Sequence, residues 1–240
     1  MLTLNRAHVH NAMDSTMADH AVRILESWRA DASIRAVIVA AAGANFCIGQ
    51  DADSLRRCLD GGEPCCRREF GANRRLFDAL AGLGRPSIAR IQGAAYGPGL
   101  GLVAACDLAV ATYDAHFAVQ ETRLGLSPGP LAGVFADAVG VRAARRYLMS
   151  GERFSAAQAL RIGLVHEIVP GENELDEAVS ELAHALLGGA PQALAGSRTI
   201  ESPDAALEAQ VTSASTIEAR AGISAFLESR AAPWDPRRRM

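Results

Sequence analysis

Three stretches of this sequence hold residue types that could carry chemistry. "QGAAYGPGLGLVAACD", Gln92 to Asp107, places glycines at 97, 99 and 101 ahead of an apolar run. "AGANFCIGQD" places Gly49 and Gln50 behind another apolar run, "RAVIVAA". Both read as strand, loop, glycine, helix. The first amides of a helix lack intrahelical acceptors, so they favour an anion or an oxygen about to carry charge. Two such helix starts side by side would form an oxyanion hole. The third stretch is "HFAVQETRLGLSPG", with Glu121 just after a strand-like piece. A glutamate at a buried strand end has a raised pKa and can move protons. Taken singly, each motif also has a plain structural reading: a surface glutamate, or glycines that let a helix pack on a strand.

Composition removes several other chemistries. All 24 basic residues are arginine. Without a lysine there is no Schiff-base enzyme, no pyridoxal-phosphate enzyme and no Walker-A loop. "GPGLG" lacks the G-x-G-x-x-G spacing of a dinucleotide turn. Five cysteines without a C-x-x-C pair signal neither a disulfide framework nor a zinc site. His8-x-His10 has no evident third ligand, so no metal is expected. A net charge of −3 gives no field for nucleic acid. No run of 18 apolar residues would span a membrane, and the start "MLTLNRAHVHN" lacks a signal peptide's apolar stretch, so the cytoplasm is the expected location.

The positioning elements follow from periodicity. "LTL" at 2–4 is the end of a strand, and the chain starts inside it, which implies a short edge strand or an upstream segment. Met17, Ala21, Ile24, Leu25 and Trp28 follow helical spacing after Asp14. Strands are expected at 35–41, 86–93, 107–112 and 164–169. Helices are expected at 52–60 and about 65–82, separated by "DGGEP", then at 99–106, about 131–138, 142–149 and 155–162. Beyond Pro170 the pattern is helical to about 229. The result is an α/β core over 1–170 with a helical region over 171–240.

Together the stretches resemble the crotonase superfamily, the enoyl-CoA hydratase/isomerase fold. "LTLNRAHVHNAMD", "ANFCIGQD", "RPSIARIQGAAYGPGLGLVAACDLAVA", "FAVQETRLGLSPG", "SGERFSAAQALRIGLVHEIVP" and "GISAFLESRAAPW" stand in family order and cover most of the chain. The wording of "GLVAACDLAVA" and "RIGLVHEIVP" is most similar to bacterial methylglutaconyl-CoA hydratase-like members. The resemblance implies a ClpP/crotonase-like fold of repeated ββα units, with C-terminal helices that drive assembly into a trimer or a dimer of trimers. It implies an acyl-CoA thioester substrate and no cofactor beyond the coenzyme A the substrate carries. The thioester oxygen would sit between two backbone N–H groups, at Gln50 and at the position of Pro98. Glu121 matches the family's proton-transfer glutamate. Arg6, Ala7 and His8, with Ala44, Asn45, Cys47 and Ile48, match the coenzyme A path, and Gly49, Asp51, Tyr96 and Gly101 complete the implied substrate contacts.

Two departures bear on mechanism. The hydratases' second glutamate would lie twenty residues before Glu121, and Gly101 stands there. One carboxylate suffices chemically for a 1,3 proton shift, whereas hydration must also hold a water; the surrounding stretches favour a hydratase, with a Δ3,Δ2-enoyl-CoA isomerase as the alternative and a non-turning acyl-CoA binder as the third reading. Ser127 to Pro130 contains no acid, unlike the members that use an aspartate in that turn. Pro98 has no N–H to donate, although proline suits the first position of a helix. The expectation is that the neighbouring Gly99 N–H takes over.

Overall fold

The computed structural model describes residues 1–198 and 202–236. Its strands are β1 (Leu2–Leu4), β2 (Val37–Ala41), β3 (Ser87–Ile91), β4 (Ala94–Tyr96), β5 (Leu108–Thr112), β6 (His116–Ala118), β7 (Phe154–Ser155) and β8 (Glu167–Val169). Five of them form a parallel sheet in the order β1-β2-β3-β5-β8, and β4-β6-β7 form a second sheet. β2, β3 and β5 read as nearly continuous apolar runs because parallel strands need both faces covered. The helices α1 (Ser15–Ala30), α2 (Ala52–Ala81) and α3 (Pro98–Ala105) lie between consecutive strands. Leu25, Leu76 and Leu80 from α1 and α2 share one core with Val39, Ala89 and Ala109 of the sheet.

α1 begins where the sequence places it, with Asp14 as N-cap accepting from Met17 N at 2.8 Å. α2 differs from expectation. The two predicted helices are joined, and "DGGEP" interrupts them at one residue only, Gly62, with φ 60° and ψ −155°. Pro64 then falls in the first turn of the second segment, where its missing N–H costs nothing. The expected strand 86–93 is also redrawn. Gln92 and Gly93 end β3 and hand the chain to β4 in the other sheet, with Gln92 Nε2 donating to Ala41 O and Gly43 O, both at 2.8 Å. The last strand is shorter than 164–169, at Glu167–Val169.

α4 (Pro130–Val139) and α5 (Val141–Ser150) precede β7, and α6 (Ala156–Arg161) follows it. The last third is helical: α7 (Glu172–Leu187), α8 (Pro191–Ser197), α9 (Pro203–Ala214) and α10 (Ile217–Leu227). α7 lies on the sheet, packing Leu175, Ala178 and Val179 against Ile88, Val110 and Val169. The boundary expected at 170 is thus the end of the last strand, while the first helix beyond it still covers the core. No helix among the described residues is long and apolar enough to cross a membrane.

Candidate active site

The two glycine loops meet because β2 and β3 are neighbours in the sheet. Cys47 N donates to Ala94 O at 2.9 Å, and Tyr96 N donates to Cys47 O at 2.8 Å, stitching one loop to the other. Met13 N donates to Gly49 O and Asp51 N to Met13 O, both at 2.8 Å. These bonds flank Gln50 and use the carbonyl before it and the N–H after it. Gly49 and Gln50 line a cavity of about 310 Å³ together with Gly97, Pro98, Gln120 and Glu121. Its remaining wall is mostly apolar and includes Leu55, Phe70 and Phe77 of α2 and Leu124, Leu126 and Leu131.

Glu121 opens a short 3₁₀ turn, Glu121–Leu124, three residues after β6. Its Oε1 packs against Gly97, where an added Cβ would lie 2.7 Å from that oxygen. Gly97 has φ 47° and ψ −118°, so a glycine is needed there on both backbone and steric grounds. Glu121 Oε2 is buried with no hydrogen-bond partner. Burial pushes the carboxyl's pKa up, and the backbone N–H groups of Glu121 and Gln120 offset this only in part. The cavity therefore holds a proton-accepting carboxylate in a wall with no other charged side chain.

The family model for enoyl-CoA hydratase/isomerase matches residues 1–237. The chain belongs to the enoyl-CoA hydratase/isomerase family. It is 33% identical over 196 residues to a hydroxycinnamoyl-CoA hydratase-lyase of Pseudomonas fluorescens, covering 80% of this chain and 70% of that one. It is 30% identical over 242 residues to the 2,3-dehydroadipyl-CoA hydratase of Escherichia coli K12, covering 96% and 92%. Among solved structures, Pseudomonas aeruginosa AtuE superposes with a TM-score of 0.92 at 29% identity, covering 97% and 94%. The chain is thus an enoyl-CoA hydratase-family enzyme acting on acyl-CoA, with the crotonase fold its sequence resembles.

Against this family's geometry the individual residues divide. Gln50, Gly49, Pro98 and Glu121 converge on the cavity. Gly99 is not among the residues that line it. It packs against Cys47. Gly99 is also wedged there, since an added Cβ would stand 2.6 Å from Cys47 O. Gly97 N cannot substitute, because it donates to Ala118 O at 3.0 Å. At the other departure, an added Cβ on Gly101 would overlap the ring of Phe77. The space a second carboxylate would need is filled by an aromatic ring.

Several residues expected along the coenzyme A path make contacts that hold the scaffold. Arg6 donates to Ala12 O at 2.8 Å and pairs with Asp14 and Asp51 at 3.2 and 3.0 Å, so its guanidinium is committed within the chain. Asp51 caps α2, accepting from Asp53 N and Ser54 N at 3.0 Å. Asn45 accepts from Ala94 N at 2.9 Å. Cys47 is buried, and burial pushes its thiol pKa up to about 11, so it is no nucleophile. Tyr96 is buried away from the cavity, edge-on to His116. Ala7, His8 and Ala44 are exposed, and Ala7 lies against Gly43 at the mouth of the same loop. Sequence reasoning missed Phe77 and Asn73 of α2, both in the cavity wall. The available signal was Asn73 itself, a polar residue among the buried positions Glu69, Ala72, Leu76 and Phe77 of one helix face.

Proposed function

We propose that the protein adds water across the double bond of an enoyl-CoA thioester. The reading is supported by one observation: Glu121, whose buried Oε2 has no partner, shares a largely apolar cavity with Gln50. In this mechanism the Glu121 carboxylate takes a proton from water as the water oxygen bonds to C3. The C2–C3 π electrons move towards the thioester oxygen, which gains negative charge. The Gln50 N–H and the N-terminal end of α3 stabilise that charge. The enolate then collapses, and Glu121 returns the proton to C2, so one carboxylate serves both steps. The ligand's coenzyme A would leave over Ala7, His8, Ala44 and Ile48, with self-association through the helices beyond Pro170 as part of the same proposal.

A second reading, Δ3,Δ2-enoyl-CoA isomerisation, is favoured by Phe77. Its ring fills the space beside Gly101, and a lone base can carry a proton from C2 to C4 without holding water. Crotonyl-, 3-hexenoyl- and 3-methylglutaconyl-CoA separate the readings. Hydration predicts loss of the conjugated enoyl absorbance with the first substrate, and the third tests the methylglutaconyl-CoA hydratase likeness. Double-bond migration in 3-hexenoyl-CoA without water addition to any substrate would replace hydration by isomerisation. Binding with no absorbance change in any arm would reduce the protein to an acyl-CoA binder.

A further inference from the structure

A chain of hydrogen bonds runs from a buried carboxylate to the cavity wall, and its direction is fixed at the buried end. Glu69 is 1% exposed and accepts from Ser15 N at 3.0 Å and from Ser54 Oγ at 2.8 Å. Burial raises its pKa, but the bonds from Ser54, Ser15 and Arg68 outweigh that and hold it at about 2, so it is ionised at neutral pH and can only accept. The Ser54 hydroxyl therefore spends its proton on Glu69 and must accept from its other neighbour. That neighbour is Gln50 Nε2, at 2.8 Å. Gln50 then presents Oε1 onwards, and Asn73 Nδ2 donates to it at 2.9 Å. Each amide orientation is dictated by the one before it. The chain ends with Asn73 Oδ1, buried and without a partner, on a residue that is 6% exposed and lines the cavity.

Glu121 Oε2 and Asn73 Oδ1 are thus two partnerless acceptors on residues of one cavity wall. A buried acceptor left unmatched is costly, so a bound donor at such a place is strongly favoured. Water offers two O–H donors. We propose that Asn73 Oδ1 accepts from the water that is added to the substrate, and then from the 3-hydroxyl that this oxygen becomes. The inference rests on the hydration reading above. It supplies the second holding group that Gly101 cannot, from α2 and as an amide carbonyl. Glu121 takes one proton of the water; Asn73 holds the other, which stays on oxygen as the product's hydroxyl proton. No charge moves onto Asn73.

The test compares binding of butyryl-CoA and 3-hydroxybutyryl-CoA by calorimetry, alongside hydration of crotonyl-CoA. Asn73→Leu keeps the approximate shape and removes the acceptor. It should weaken 3-hydroxybutyryl-CoA about tenfold relative to butyryl-CoA, whose own affinity reports an intact site. Ser54→Ala cuts the chain upstream, frees the two amides to turn, and should erode the same preference while leaving Asn73 in place; it decides the matter if Asn73→Leu fails to fold. A ratio of affinities unchanged in the folded variants overturns the role of Asn73. Hydration by the wild type with that unchanged ratio would sink Asn73 and leave hydration standing. A ratio that shifts in a protein unable to hydrate would retain the hydroxyl contact and sink hydration.

Discussion

In the proposed reaction Glu121 and Pro98 stand on opposite sides, one supplying the proton path and the other offering no N–H where the resemblance places a donor. Glu121→Gln retains shape and hydrogen bonding but cannot take a proton. General acid–base catalysis contributes about 10²–10⁴-fold, so turnover of crotonyl-CoA should fall by that amount while butyryl-CoA still binds. A variant with near wild-type turnover would remove Glu121 from the chemistry. The pH profile follows from burial. The group must start ionised, and its pKa lies above the ordinary 4.5, so kcat/KM should fall with decreasing pH on a limb centred above that value. Pro98→Gly restores an N–H at a residue that lines the cavity. In the proposed reaction that N–H would add a second donor beside Gln50. Turnover should therefore rise, by up to about 10²-fold, against a stability loss of up to about 1 kcal/mol from the freer backbone. The gain should fall on kcat, since the enolate oxygen carries more charge than the bound carbonyl. Flat turnover would mean that Gln50 and the helix end already suffice.

α2 is the element on which the site depends, and its residues act at a distance in sequence. Gly101→Ala should destabilise by about 1–3 kcal/mol, as overpacking does, because its methyl would overlap Phe77. In a Phe77→Leu background that cost should shrink, a coupling readable from chemical denaturation of the four proteins. Equal costs in both backgrounds would mean that the ring does not set the limit. Glu69, also on α2, gives a pH signature. Its folded pKa of about 2 lies below the ordinary glutamate value of 4.5. Its stabilisation is therefore complete above about pH 4.5 and disappears as pH falls towards 2. Glu69→Gln should flatten the loss of stability over that window. The sequence shows much of this architecture and little of these contacts. The apolar runs of β2, β3 and β5, the cap at Asp14 and the proline opening α3 are local signals, so they are readable in order along the chain. The kink at Gly62 is softer than "DGGEP" suggests, because Pro64 fits a first helical turn. Phe77 against Gly101, Asn73 beside Gln50 and Gly99 against Cys47 arise only when the layers close, and no spacing rule encodes them. Gln50, Pro98 and Glu121 were legible because each sits at a strand-to-helix junction or strand end that the chain itself announces.

At the scale of the whole molecule, the apolar surface is concentrated where the chain packs least on itself. In α9, Leu207 and Val211 are four residues apart on one face and are 56% and 55% exposed. In α10, Ile223, Phe226 and Leu227 follow i, i+3, i+4 spacing and are 53%, 81% and 75% exposed. Single exposed apolar residues are ordinary, but aligned rows on successive helices mark a surface that is covered in use. α7 spends its apolar face on the sheet, so the proposed association face lies beyond it, in the helices after Gly189. The proposed assembly is a trimer or a dimer of trimers. The cavity and its Glu121, Gln50 and Asn73 lie within one chain, so assembly and chemistry can be separated experimentally. Light scattering at micromolar concentration should give at least three times the 25.2 kDa chain mass. Val211→Asp with Phe226→Asp places two charges on the rows without touching the cavity. The paired substitution should lower the mass towards that of one chain while acyl-CoA binding remains measurable. A wild-type protein that scatters as a monomer, or a doubly substituted one that keeps its full mass, would remove these helices from the assembly.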